Sequence, residues 1–297
     1  MQPTAVLLID CPDRPGLVAR VASLLYERGA NILHADQHQD HELGLFFMRV
    51  EWGGISAPPD PAGGGPWDGG AFDVAAFEQG FTELATELRM HWTLTSSARR
   101  PRVALFCSQY LHCMADLLER WNNGELKCDI PVIVSNHRAV EKLAAFYGVP
   151  FEHVAVTPEN RAAAEARQLE LLAAQGIDLV VLARYMQILS PAFVAQYPSA
   201  IINVHHSFLP AFVGARPYHA AHARGVKLIG ATSHYVTAIL DDGPIIEQDV
   251  ARVSHRDQVE DLVARGRDLE RIVLSRAVRW HIDRRILSYG NKTVVFD

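Results

Sequence analysis

The chain opens with a short apolar run, Thr4 to Ile9, that stops at Asp10-Cys11-Pro12-Asp13-Arg14-Pro15-Gly16. The spacing then changes: Leu17, Val18, Val21, Leu24 and Leu25 share one face of a helix that Gly29 ends. A strand is predicted near Ala30 to Gln37, a turn at Asp40-His41-Glu42, and another strand from Leu43 to Glu51. Further on, Val74, Phe77, Phe81, Leu84 and Leu88 recur at spacings of three and four, which predicts an amphipathic helix. Trp92 to Thr95 supplies a fourth strand. The order βαββαβ predicts a ferredoxin-like sandwich, helices on one face of an antiparallel sheet.

Between these elements lies Gly53 to Gly70, rich in glycine and proline. It lacks the spacing of a dinucleotide or Walker loop, and it reads as a surface insertion.

A polar linker, Ser96 to Pro101, precedes a different rhythm. Apolar strands at Val103–Cys107, Ile130–Ser135, Asp178–Ala183 and Ala200–Val204 alternate with helices at Met114–Trp121, Ala139–Tyr147, Pro158–Ala174 and Pro191–Gln196. That alternation predicts a mostly parallel α/β sheet, with ligands beyond the strand carboxyl ends. Strands Lys227–Thr237 and Ile245–Val253 follow, joined at Asp241-Asp242-Gly243-Pro244, and a long helix runs from Asp257 to Trp280. The expected division is a first domain at residues 1–95, a linker at 96–101 and an α/β domain at 102–297.

Composition narrows the class. The 297 residues are 49% hydrophobic and 21% charged, the balance of a globular protein, and a net charge of −6 argues against a broad nucleic-acid surface. The longest apolar runs are too short to span a membrane, and the N-terminus lacks the pattern of a signal peptide. Four cysteines without CxxC spacing read as free thiols in a reducing compartment, so a cytoplasmic protein is expected. The 14 histidines are the unusual count.

The strand Ala200–Val204 runs into His205-His206-Ser207-Phe208-Leu209-Pro210, a polar cluster where an α/β enzyme keeps its reactive groups. Asn203 and His205 are two apart and project to one side of an extended chain. Both can donate hydrogen bonds to a developing oxyanion. The turn at Asp241 can bring a carboxylate to act as base or as partner to the histidine. Three other readings stay open. Asn203 and His205 could cap the next helix, the Asp241 turn could be only a hairpin turn, and His205, His206, His219, His222 and His234 could hold a metal. Ser207 has no GxSxG context, which weakens a nucleophile reading.

The segment Ile202-Asn203-Val204-His205-His206-Ser207-Phe208-Leu209-Pro210 closely resembles a signature of the formyltetrahydrofolate-dependent formyltransferase fold. Gly230–Thr237 and Leu240–Ile246 resemble its second signature. Ser135-Asn136-His137, Ala183–Ser190, Gly214-Ala215-Arg216-Pro217-Tyr218 and the tail Asn291–Phe296 resemble the formyltetrahydrofolate deformylase family within it. The first 95 residues resemble that family's ACT domain.

The resemblance implies an α/β protein with an ACT-like βαββαβ domain ahead of a Rossmann-like formyltransferase domain. The implied activity is hydrolysis of 10-formyltetrahydrofolate to formate and tetrahydrofolate, which balances one-carbon pools for purine biosynthesis. It places catalysis on Asn203, His205 and Asp241, and the folate pocket at Met186, Gln187, Ile188, Leu189 and Thr237. It implies no metal or cofactor, a homo-oligomer (dimer or tetramer), and an amino-acid effector at the ACT-like domain. Gly16 and Asn31 are the expected effector contacts, since Gly16 opens a helix whose free N–H groups favour a carboxylate.

The alternative to hydrolysis is formyl transfer to an amine. The transformylases of glycinamide ribonucleotide hold the acceptor's phosphate in a Gly-rich loop after the first strand. Here that loop is Ser108-Gln109-Tyr110-Leu111-His112-Cys113, without glycine, so water is the expected acceptor.

Overall fold

The computed structural model describes residues 4–53, 74–211 and 217–297. Most of the glycine-rich stretch after Gly53, and Gly214, Ala215 and Arg216 of the motif quoted above, lie outside the described residues.

The chain forms two compact units. The first takes Met1–Arg99 together with Arg284–Leu287 and Val294–Asp297. It contains β1 (Thr4–Pro12), α1 (Leu17–Glu27), β2 (Asn31–Asp40), β3 (Leu45–Gly53), α2 (Val74–Leu88) and β4 (His91–Ser96). The sheet order is β2-β3-β1-β4, with every pairing antiparallel. Alternate residues of β1 (Ala5, Leu7, Ile9, Cys11) and of β3 (Phe46, Met48, Val50, Trp52) face the helices. There they pack on Leu17, Val21 and Leu25 of α1 and on Phe77, Phe81 and Leu88 of α2. The helical and strand periodicities of the sequence therefore meet in one core.

The sheet's other set of side chains includes Val6, Leu8 and Phe47, which are also buried. From within the same unit, Arg49 donates to the Arg284 carbonyl at 3.0 Å, and the Asp297 amide donates to Asp36 at 3.1 Å.

The second unit is Arg100–Asp283 with Ser288–Thr293. Its strands are β5 (Arg102–Cys107), β6 (Asp129–Ser135), β7 (Phe151–His153), β8 (Leu179–Leu182), β9 (Ile201–His205), β10 (Leu228–Tyr235) and β11 (Ile245–Arg252). They form one sheet in the order β11-β10-β9-β8-β5-β6-β7. Strands β5 to β9 run parallel, whereas β10 and β11 are antiparallel additions. The helices are α3 (His112–Asn122), α4 (Glu141–Phe146, entered through a 3-10 turn), α5 (Arg161–Ala174), α6 (Pro191–Val194), α7 (Pro217–Arg224) and α8 (Val259–Ile282). The chain lays down β5, β6 and β7 outward, then crosses to β8 and β9 on the other side of β5. That reversal opens a crevice between the loops after β5 and β8, the usual ligand position in such sheets. A final hairpin pairs β12 (Ile286–Tyr289) with β13 (Lys292–Val295).

Candidate active site

Strand β9 is apolar and buried up to its last residues, so Asn203 and His205 emerge beside the core rather than on a free loop. Antiparallel pairing with β10 sets His234 directly opposite Asn203 and Thr232 opposite His205. Asn203 Nδ2 lies 3.3 Å from His234 Nε2, while His234 Nδ1 lies 2.9 Å from the Tyr235 carbonyl. A carbonyl only accepts, so Nδ1 carries the proton and Nε2 accepts from the Asn203 amide. Burial keeps His234 below its ordinary pKa despite that carbonyl and nearby Asp241, which favours this neutral form.

The Asp241 turn closes over the same residues. Asp241 has a left-handed φ of 55°, and its Oδ2 lies 3.2 Å from His205 Nδ1, its Oδ1 3.7 Å from His234 Nε2. The hydrogen bond from His205 holds the Asp241 carboxyl below the usual aspartate range, outweighing its partial burial. Gly243 allows the turn to sit this close, because a Cβ there would lie 1.8 Å from the Tyr235 carbonyl oxygen. The Tyr235 amide in turn donates to Pro244 at 2.9 Å. His205 Nε2 is the remaining ring nitrogen, buried and without a partner. A donor held ready on one side by a carboxylate, and empty on the other, is what an oxyanion requires.

These contacts go beyond a helix cap or a hairpin turn, the two bland readings of the motifs. Ser207 faces elsewhere, donating to the Ala211 carbonyl at 2.8 Å. The five-histidine grouping does not assemble as a metal site among the described residues. The candidate group found there is His112, Cys113 and Glu270, with ligand atoms within 4.8 Å of one another. Its carboxylate is already engaged: His112 Nε2 lies 2.7 Å from Glu270 Oε2, and Tyr218 donates to Oε1 at 2.8 Å. Arg184 Nε stands 3.4 Å from the same carboxylate. Burial would raise the Glu270 carboxyl, but the His112 bond and the Arg184 charge hold it low. Burial pushes the Cys113 thiol well above its ordinary value, away from the thiolate a metal needs.

The loop after β8 leaves the sheet level with Asn203, since Leu182 pairs with Asn203. Of its candidate folate contacts, Met186 and Ile188 are exposed and Gln187 and Leu189 half-buried. The Thr237 hydroxyl donates to Ile239 at 3.1 Å, and Ile239 and Leu240 are exposed apolar side chains. Gly16, the expected effector contact, stands before α1 at φ 89°, and Asn31 is exposed at the start of β2.

Motif reading missed a residue that joins two loops. The Ser108 hydroxyl donates to Asn136 Oδ1 at 2.7 Å and accepts from the Met186 amide at 3.0 Å. The Ser108 amide also donates to the Arg184 carbonyl at 3.1 Å. The one hint in the sequence was that Ser108 and Asn136 each follow directly on an apolar strand.

Comparison with known proteins shows the family. Residues 101–278 match the formyl transferase family model and residues 5–51 the ACT domain model. A formyltetrahydrofolate deformylase of Synechocystis is 52% identical over 293 residues, covering 99% of this chain and 98% of that protein. The chain belongs to the formyltetrahydrofolate deformylase family. The Bacillus subtilis member is 47% identical, over 98% of this chain and 93% of its own. A crystal structure of the deformylase from Pseudomonas syringae superposes with a TM-score of 0.93 at 47% identity, covering 100% of this chain and 95% of that one. Glycinamide ribonucleotide transformylase 1 from Symbiobacterium toebii shares less with this chain. It covers 67% of this chain and 95% of its own, with a TM-score of 0.63 at 32% identity.

Proposed function

We infer that the chain hydrolyses 10-formyltetrahydrofolate to formate and tetrahydrofolate. The observation that carries the reading is the convergence of Asn203, His205 and Asp241 around a buried, unpartnered ring nitrogen, in a chain whose relatives are deformylases over nearly its whole length.

The formyl group on N10 is a reactive amide, because its nitrogen lone pair is shared with an aryl ring. In the proposed mechanism a water attacks the formyl carbon and Asp241 takes its proton. An aspartate with a lowered pKa is a weak base toward bulk water, but bond formation acidifies the attacking water and makes the transfer feasible. The Asn203 amide and a doubly protonated His205 donate to the oxyanion. His234 holds the Asn203 amide by one N–H, leaving the second for the substrate. Asp241 or a water then passes the proton to N10, the C–N bond breaks, and formate leaves. These steps call on no metal or cofactor.

Met186, Gln187, Ile188 and Leu189 are proposed to flank the folate on one side and Thr237 on the other, the exposed apolar side chains receiving its rings. Support for water as acceptor comes from the glycine-free loop after β5. The Ser108 amide already donates to the Arg184 carbonyl, so it is not open to a phosphate.

No described helix is long and apolar enough to cross a membrane. The four cysteines are free and buried, which supports placement in the reducing cytoplasm. The ACT-like unit is proposed to self-associate and to bind an amino acid near Gly16 and Asn31; a ligand-dependent thermal shift tests this.

Incubation with 10-formyltetrahydrofolate and no acceptor is expected to release formate. Release only after glycinamide ribonucleotide or another amine is added would overturn the hydrolytic reading in favour of formyl transfer.

A further inference from the structure

A cavity of about 230 Å³ opens among Tyr110, Arg184, His206, His219, Arg267 and Glu270. Tyr110, Arg184 and His206 follow the C-terminal ends of β5, β8 and β9, so the cavity occupies the crevice where the strand order reverses. Its lining is cationic: two guanidinium groups face a single carboxylate, with three histidines beside them.

Arg184 is only 9% exposed, and its Nε and Nη1 are buried without a hydrogen-bond partner. Buried guanidinium nitrogens are almost always bonded to an acceptor, because losing water without replacement is costly. Glu270 does not serve. It stands 3.4 Å from Nε without bonding geometry, and its oxygens are already taken by His112 and Tyr218. The guanidinium is nevertheless held in place. Tyr110 lies over it, 5.3 Å from ring centroid to guanidinium carbon, and the Arg184 backbone adopts a left-handed φ of 64°. A non-glycine residue keeps that conformation where its surroundings over-determine it. The His206 ring lies 5.2 Å from that of His205, which puts the cavity beside the proposed oxyanion donors.

We propose that this cavity is a subsite for the departing monocarboxylate, formate, held by the charge of Arg184 in its wall with Arg267 at the mouth. The proposal rests on the hydrolytic reading above. Water supplies the new C–O bond, the C–N10 bond breaks, one proton goes to N10, and ionisation of the acid at neutral pH leaves formate as an anion. The formyl group of the substrate is neutral, so the arginine selects product over substrate. A planar carboxylate pairs with a guanidinium through charge-assisted hydrogen bonds.

The test is titration of the full-length protein with ¹³C-labelled sodium formate, read by NMR line broadening at constant ionic strength set with chloride. Wild type, Arg184→Gln, Arg184→Lys and Arg267→Gln are compared, with folding checked by near-UV circular dichroism. Formate affinity is expected to fall at least tenfold in Arg184→Gln and about threefold in Arg267→Gln, an exposed position that keeps the test valid should the Arg184 variants fail to fold. Equal formate affinity in wild type and the folded variants overturns the proposal, as does displacement of formate by inorganic phosphate at lower concentration. The titration needs no turnover. Absence of formate release from 10-formyltetrahydrofolate is therefore a separate result, which overturns the hydrolytic reading instead.

Discussion

His234 makes Asn203 a directed donor, and that dependence has a pH signature. Burial depresses the His234 pKa below its ordinary 6.5, so the ring is neutral near pH 7 and accepts the Asn203 amide. Because the unfolded histidine binds its proton first, the stability tied to the neutral ring is present above pH 6.5. It is lost as pH falls below that value toward the folded pKa. Protonation would also turn Asn203 away, so kcat/KM is expected to decline only at a pH below the ordinary histidine value, as the folded ring takes its proton. An acid limb centred at or above pH 6.5 would contradict a His234 ring kept neutral by burial. Asp241 titrates lower still, since the bond from His205 depresses it. Asp241→Asn is expected to cut formate release by about 10²–10⁴-fold while tetrahydrofolate still binds. Asn203→Ala should cost about 2.7–4 kcal/mol in the transition state, read as a drop in kcat with a smaller change in KM. Near-normal turnover in either variant would remove that residue from the mechanism. At this scale type and spacing singled out Asn203 and His205, and the family resemblance chose Asp241 over Asp242 in the turn. The sequence could not orient Arg184 or Glu270, because their partners lie far along the chain: Glu270 meets His112 at a separation of 158 residues and Tyr218 at 52.

Strands β9 and β10 place the site through their register, and the turn after β10 completes it. The apolar run Ala200–Val204 ahead of His205, and the run Lys227–Thr237, were enough to predict two strands. Pairing of His234 with Asn203 was not legible, because register follows from tertiary pairing and not from a strand's own pattern. The short strand β7, only 3 residues, escaped for want of any period to read. Gly243 gives the element-scale prediction. Gly243→Ala places a Cβ against the Tyr235 carbonyl and within 3.2 Å of Thr237 Cγ2, so the turn must move away from β10. Asp241 sits two residues earlier in that turn, and its contacts to His205 and His234 would lengthen. Activity is expected to fall at least tenfold, with stability lowered by about 1–3 kcal/mol. A variant with normal kcat would show that Asp241 does not depend on this turn for its position.

The two units have separate cores, and the first unit takes in residues from the far end of the chain. Ile286, Val294 and Phe296 are buried, and they fall in segments that group with Met1–Arg99. The tail could be recognised as a motif, but three apolar residues scattered over a hairpin carry no period that says which core receives them. Only the packed structure does. The Phe296 amide donates to the Arg285 carbonyl at 2.8 Å, and the Arg285 guanidinium donates back to the Phe296 carbonyl at 2.6 Å. The phenyl ring is thus fixed at both backbone ends while its side chain is 1% exposed. Phe296→Ala is expected to destabilise the first unit by about 3–5 kcal/mol, the loss of buried area plus the cavity left behind. In a unit of this size that lowers its melting transition by roughly 10 °C or more. The proposed catalytic groups Asn203, His205 and Asp241 all belong to the second unit, so below that transition kcat should stay within about twofold of wild type, a stability effect without a chemical one. Calorimetry with a parallel formate assay reads both. An unchanged calorimetric profile would mean that Phe296 adds nothing to the first unit's stability, and a large loss of kcat at low temperature would mean that the tail acts on the reacting groups themselves.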